Sequence, residues 1–346
     1  MNGTGERGNR CLADRAGEGD TSSRQQPNEA ADSRPKTAIV LAGGGSLGAI
    51  EVGMLKALTA HGVRADLVVG ASVGAINGAC FAGSPDMAGV QLLEQLWRGL
   101  RRERVFRFSR LGSLLDLASR RNYLVSPEPL RDLLGRCLPF KRLEDAAIPC
   151  HVVATDVMRG TEVVLSSGPA VEALMASASI PPVFPPVRIG ERFLVDGGLA
   201  NHTPVSTAVA LGATRVIVLP TGFGCAVEKP PNGAVAMALH ALNLLIARQL
   251  VLDIERFDDA VELVVLAPLC PVAIFPYDFA HTGELIDRAE VATRDWIGRG
   301  GLRKSRVPGS LRLHHHAGER FAPPPENRRD GPPEGECASP VPVALG

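Results

Sequence analysis

Several features are missing from this 346-residue sequence, and each absence removes a class of function. There is no excess of charge of either sign: 37 basic residues balance 37 acidic ones, for a formal net charge of zero. No global field therefore draws the chain to nucleic acid or to an acidic partner, and any basic surface must be local. No nucleic-acid partner is expected. The seven cysteines are scattered and odd in number, with no C-x-x-C pair. That excludes a disulfide framework and a zinc ribbon and favours a reducing compartment, so the expected location is the cytoplasm. No apolar run approaches the roughly 20 residues needed to span a bilayer. The first 35 residues are polar and show no apolar segment of the secretory-signal kind. There is no internal repeat.

What is present is enough apolar residue, 45%, to build a globular core. Three zones follow from composition. Residues 1–35 are rich in Gly, Ser, Asn, Asp, Glu and Arg and read as a disordered arm. Residues 36–299 alternate strand and helix patterns. Residues 300–346 are rich in Pro, Gly and Arg and read as a disordered tail. In the middle zone, short apolar runs predict strands over 37–42, 67–69, 151–154, 162–165, 192–195, 215–219 and 262–266. Helical patterns follow Gly48 and Gly74, start again near Ser84-Pro85, and recur near 127–136, 169–177, 203–211, 233–255 and 281–297. Strands alternating with helices predict an α/β fold with a mainly parallel central sheet flanked by helices on both faces.

Two glycine loops follow the first two strands. In Gly70-Ala71-Ser72-Val73-Gly74 a serine stands between glycines at a strand-to-helix turn. A nucleophile elbow needs this arrangement: the turn is too tight for side chains at its flanks, and the serine Oγ projects beyond the sheet. The helix that starts there aims its N–H groups at a reacting carbonyl, and the Val73 amide would be one oxyanion donor. The alternative is a Gly-rich turn with a capping serine. The earlier loop, Gly43 to Gly48, places Gly43, Gly45 and Gly48 in the dinucleotide spacing G-x-G-x-x-G. The acid that would bind ribose, Asp66, precedes its strand and so falls at the wrong edge of the sheet. The better reading makes the amides of Gly43, Gly44 and Gly45 an anion cradle beside Ser72.

A serine hydroxyl needs a base within hydrogen-bond reach. Of eight histidines, His314, His315 and His316 fall in the tail, His61 ends a helix, His240 lies in a long helical pattern and His151 starts a strand away from the elbow. His202 and His281 remain, and a Ser72–Asp196–His281 order would suit an α/β-hydrolase triad. Asp196-Gly197-Gly198 ends a strand, and in a parallel sheet that end shares an edge with Ser72. Partial burial could raise an Asp from about 3.9 toward neutrality and make it a base. A lone Asp-Gly-Gly is otherwise a turn.

Taken jointly, Gly43 to Gly48, Gly70 to Gly74 and Asp196 to Gly198 resemble the patatin-like phospholipase family in type and order. The stretches 176–186 and 154–156 add to the resemblance, which is good over about 37–220 and weaker to 299. It implies a three-layer sandwich and a Ser72–Asp196 dyad without histidine. The motif glycines would be Gly48, Gly70, Gly74, Gly197 and Gly198, and the oxyanion donors would lie at Gly43, Gly44, Gly45 and Val73. It implies hydrolysis of a lipid or other acyl ester through an acyl-enzyme, with neither metal nor organic cofactor. One departure stands out. The loop's usual basic residue is Leu47 here, which weakens a phosphate grip by this loop and favours neutral or short-chain acyl esters.

Residues 92–115 join an apolar helical face (Leu92, Leu93, Leu96, Trp97, Leu100) to Arg98, Arg101, Arg102, Arg104, Arg107 and Arg110, with Phe106 and Phe108 among them. This segment reads either as a core-packed helix with a solvated basic end or as a lid touching anionic lipid at the membrane periphery. Rival functions on the same scaffold are a non-catalytic lipid-binding or regulatory protein and an acyltransferase.

Overall fold

The computed structural model describes residues 35–101, 123–221, 233–270, 272, 274, 277–303 and 311. The strands are β1 (Thr37–Leu41), β2 (Leu67–Ala71), β3 (Cys150–Asp156), β4 (Thr161–Leu165), β5 (Val187–Ile189), β6 (Arg192–Asp196), β7 (Arg215–Leu219) and β8 (Glu262–Val265). The helices are α1 (Gly48–Ala60), α2 (Val73–Gly83), α3 (Met87–Gly99), α4 (Glu128–Cys137), α5 (Ala170–Ser177), α6 (Gly198–Asn201), α7 (Val205–Ala210), α8 (Ala234–Phe257) and α9 (Thr282–Gly298). The strands predicted from apolar runs form where expected. The short β5 was not anticipated, because its three residues lie among prolines and alternate too briefly to register.

The sheet runs β5-β6-β3-β2-β1-β7-β8, with β4 also on β3. Strands β3, β2, β1, β7 and β8 are mutually parallel, and β4, β5 and β6 join antiparallel. The parallel strands are buried on both faces, as their continuous apolar runs require. Along β1, Ile39 and Leu41 enter a core shared with α1, α2, α3, α4 and α9, whereas Ala38 and Val40 enter a second core under α7 and α8. Two helical layers thus sandwich the sheet.

The register around β3 sets up the site. Val152 and Val153 pair with Gly70 and Ala71 of β2 and also with Leu165 and Val164 of β4. A strand has two edges, so β2 and β4 take opposite ones. Beyond Val153, strand β2 has ended; Ala154 keeps β4 but takes Asp196 of β6 as its second partner. The C-terminal ends of β2 and β6 therefore meet head to head along one edge of β3. This corrects the sequence argument for Asp196. It does not end a parallel strand; β6 runs antiparallel after a hairpin from β5, and the head-to-head junction is what brings it to the residue after Ala71.

Two other expectations change. In α3, Leu93 and Trp97 are buried but Leu92 is exposed, so the apolar face of residues 92–100 is narrower than its spacing suggested. Arg98 is engaged by Glu94 and Asp287. The rest of the arginine-rich segment, 102–115, lies outside the described residues, as do 1–34 and most of the tail. The boundary at 299 falls inside the packed body: Leu302 accepts a hydrogen bond from Arg215 at its carbonyl (2.9 Å), and Leu311 is buried in the second core. Among the described residues, no helix is long and apolar enough to cross a membrane.

Candidate active site

Ser72 occupies the one-residue turn between β2 and α2 with φ 54° and ψ −126°, and is the one non-glycine with positive φ among the described residues. Holding such a conformation costs on the order of 1–3 kcal/mol, so the surroundings must enforce it. They do so by close approach. A Cβ at Gly70 would lie 2.5 Å from the Gly74 carbonyl oxygen, and one at Gly74 would lie 2.4 Å from that of Ala42. The turn can be this tight only because both flanks are glycine. The backbone N–H of Ser72 donates to Ser177 Oγ (2.8 Å), whose own hydroxyl donates to the Val153 carbonyl (2.6 Å). Ser177 thus ties the turn to β3.

The hydroxyl of Ser72 does not cap α2; it donates to Asp196 Oδ2 at 2.6 Å. The other carboxylate oxygen, Oδ1, accepts from the Gly198 amide (2.7 Å), and the Asp196 carbonyl accepts from Thr155 Oγ1 (2.7 Å). The Asp196 and Gly197 amides donate to the carbonyls of Ser179 and Ser177 at 3.0 and 3.1 Å. Gly197 is forced to be glycine because a Cβ there would meet the Val153 carbonyl oxygen at 2.1 Å. Burial pushes the Asp196 carboxyl up to about 6, against the lowering effect of its hydrogen bonds from Ser72 and Gly198.

The glycine loop lies beside this pair. Gly44 (φ 157°) and Gly45 (φ 59°) lead into a short 3-10 turn, Gly45–Leu47, that runs on into α1. Thr221 holds the loop by donating to the Gly43 carbonyl, and Gly48 packs against Val73, where a Cβ would approach to 2.7 Å. The Gly43 amide donates to the His202 carbonyl at 3.0 Å. That amide is therefore spent on the backbone and leaves the expected donor set. The amides of Gly44, Gly45 and Val73 have no acceptor in the backbone among the described residues. Leu47 is buried and faces the core, so no cation replaces the missing basic residue at that position.

Ser72, Val73 and Gly45 open onto an apolar cavity of about 90 Å³ whose other walls include Ile76, Leu96, Trp97, Leu130, Leu133, Leu134, Phe184 and Phe279. Among the described residues, no charged side chain lines it. Tyr277 also lines it; burial, and then the nearby Asp196 charge, raise its phenol above the usual value.

Of the two histidines left open by the sequence, His281 is half-exposed at the start of α9, 3.4 Å from Glu284. His202 is buried, its ring against Gly43 and Gly198 and its pKa pulled by burial down to about 4. It is neutral at pH 7, and Ser72 donates directly to the carboxylate with no imidazole between them. Asp66 accepts from the Thr37 amide at the start of β1 (2.8 Å), at the opposite sheet edge from both glycine loops, which removes the dinucleotide reading. Sequence reasoning missed Ser177, Thr155, Thr221 and Tyr277. Ser177 and Thr155 lie in the 176–186 and 154–156 stretches that already resembled the family; Thr221 and Tyr277 carry no local signal.

A profile of the patatin-like phospholipase family matches residues 39–209, a span that holds both glycine loops and Asp196. Residues 39–209 belong to the patatin-like phospholipase family. The patatin-like domain is 29% identical over 188 residues to the mouse (Mus musculus) patatin-like phospholipase domain-containing protein 7, covering 54% of this chain and 13% of that protein. It is 30% identical over 190 residues to the patatin-like phospholipase domain-containing protein ZK370.4 of Caenorhabditis elegans, covering 53% and 13%. The chain thus spans a small part of the curated relatives it matches. A human GIVD cytosolic phospholipase A2 structure, in complex with methyl gamma-linolenyl fluorophosphonate, aligns at 15% identity with a TM-score of 0.43, covering 78% of this chain and 59% of that one.

Proposed function

We propose that this patatin-like chain is a lipid acyl hydrolase in which Ser72 is the nucleophile and Asp196 its base. The observation that carries the reading is the 2.6 Å hydrogen bond from Ser72 Oγ to a buried carboxylate at the head of an apolar cavity. A carboxyl at about 6 is mostly ionised at pH 7, yet basic enough to take a proton as the hydroxyl attacks. Asp196 Oδ2 removes the Ser72 proton as Oγ bonds to the acyl carbon. The carbonyl oxygen becomes an oxyanion held by the amides of Gly44, Gly45 and Val73. The ester C–O bond then breaks, and the departing alkoxide takes the proton from Asp196. In the second half, Asp196 deprotonates a water that attacks the acyl-serine and releases the carboxylic acid.

The cavity suits the acyl tail, since its described walls are mostly apolar and uncharged and each buried methylene contributes about 0.8 kcal/mol. With Leu47 buried where a cation would stand, neutral acyl esters fit better than substrates gripped by phosphate at this loop. Purified protein on a panel of acylglycerols, phospholipids, lysophospholipids and short-chain esters, run beside Ser72→Ala, tests the reading. Fatty-acid release by the wild type and none by the variant is expected. Equal release by both proteins contradicts it.

A further inference from the structure

The Gly43–Gly48 loop is held from beneath by Asn77 and Glu51, two side chains that do not line the cavity. Asn77, in the second turn of α2, is fully buried. Its Nδ2 donates to the Gly48 carbonyl at 2.9 Å and to Glu51 Oε2 at 2.8 Å, and its Oδ1 accepts from Trp97 Nε1 at 2.8 Å. Glu51, in the first turn of α1, is likewise fully buried. The Asn77–Glu51 pair therefore fastens the loop at its Gly48 end, and the third member, Trp97, is a wall of the cavity. Trp97 is itself fixed, stacked on Phe279 with centroids 6.2 Å apart and with its carbonyl accepting from Thr282 Oγ1 at 3.0 Å.

The chemistry at Asn77 admits few substitutes. Indole N–H can only donate, so the amide oxygen must face Trp97, and the NH₂ then serves one carbonyl and one carboxyl oxygen. An aspartate could not donate to either, and a leucine would leave the Glu51 carboxyl oxygen and the Trp97 N–H unpaired. Burial raises the Glu51 carboxyl well above the usual carboxyl range, against the lowering effect of its hydrogen bond from Asn77.

We propose that Asn77, oriented by Glu51 and Trp97, is the positioning residue that sets the oxyanion loop against Ser72 and ties that loop to the wall of the acyl cavity. The assignment rests on the reading of the loop as the oxyanion site. Neither Asn77 nor Glu51 lines the cavity, so both act through the loop and not on the substrate. Because a displacement of about 1 Å can cost on the order of a hundredfold in rate, a clamp of this kind governs turnover more than binding.

The test uses Trp97→Phe, which deletes one N–H and keeps an aromatic wall, together with Asn77→Leu, Glu51→Gln and Glu51→Ala. Each is assayed with a soluble short-chain ester and by the rate of inactivation with a fluorophosphonate, per folded site. Trp97→Phe should lower kcat about tenfold, with KM within about twofold, and should slow inactivation by the same factor. Asn77→Leu should lose more. Glu51→Gln, which keeps an acceptor oxygen for the Asn77 amide, should retain most of kcat, and Glu51→Ala should not. Variants that melt earlier but keep wild-type kcat and inactivation rate per folded site overturn the clamp and reduce these residues to core packing. Wild-type protein that fails to react at Ser72 at all overturns the underlying reading instead, so the two failures are distinct.

Discussion

Replacing Asp196 with Asn should kill the enzyme and stabilise the fold, and the two effects should part company with pH. In the folded protein burial holds the Asp196 carboxyl at about 6, against an ordinary value of 3.8. Between those values the native state keeps a proton that the unfolded chain has released, so native stability falls as pH rises through this window. Above pH 6 the fold carries an ionised, buried carboxylate. A displacement of about two pH units corresponds to a cost on the order of 3 kcal/mol. Asparagine is neutral at every pH and nearly isosteric, and its amide can still accept from the Gly198 N–H. Asp196→Asn should therefore melt higher than wild type at pH 8, by roughly 5 °C or more for a domain of this size. The advantage should vanish near pH 4, where both side chains are uncharged. Turnover should fall about a hundred- to ten-thousandfold at all pH values, because no base remains. Thermal unfolding at pH 4, 6 and 8, paired with an ester assay, reads both quantities. A variant destabilised equally at every pH would refute the claim that Asp196 is held as a strained, buried base.

Three further outcomes follow from the same geometry. The pH profile of kcat/KM should show an acid limb near 6 and rise with pH as Asp196 ionises; a limb near 4 would mean that the carboxyl is not perturbed. Ser177→Ala should lower stability by about 1–3 kcal/mol and cut kcat, since it leaves the Ser72 amide and the Val153 carbonyl without their shared partner; unchanged denaturant midpoints and rates would show that the tie is dispensable. Leu133→Trp should fill part of the apolar cavity and depress kcat/KM for an eight-carbon acyl ester far more than for acetate; an equal effect on both would place the acyl tail elsewhere.

The legible parts of the fold are those with a local cause. The parallel strands announce themselves as continuous apolar runs because both of their faces are covered. The Ser72 turn is legible because tight backbone approach demands glycine at Gly70 and Gly74, and Asp196 because Gly197 must pass the Val153 carbonyl. The antiparallel placement of β6 was not legible: strand direction depends on which edge of β3 is vacant beyond Val153, a long-range fact. For the same reason the loss of the Gly43 amide to the His202 carbonyl could not be read, since the two residues are distant in sequence. Glu51 looks like a solvent-facing acid when read alone. Its neighbours Ile50, Val52, Met54 and Leu55 hint otherwise, because a helix apolar on every side is buried all round.

The central claim, that Ser72 becomes covalently acylated with Asp196 as its base, is tested most directly by mass spectrometry after reaction with a fluorophosphonate. One adduct should form on the peptide containing Ser72, be absent from Ser72→Ala, slow strongly in Asp196→Asn and be unaffected in His281→Ala. An adduct on another residue, or equal labelling of Ser72→Ala, would contradict it.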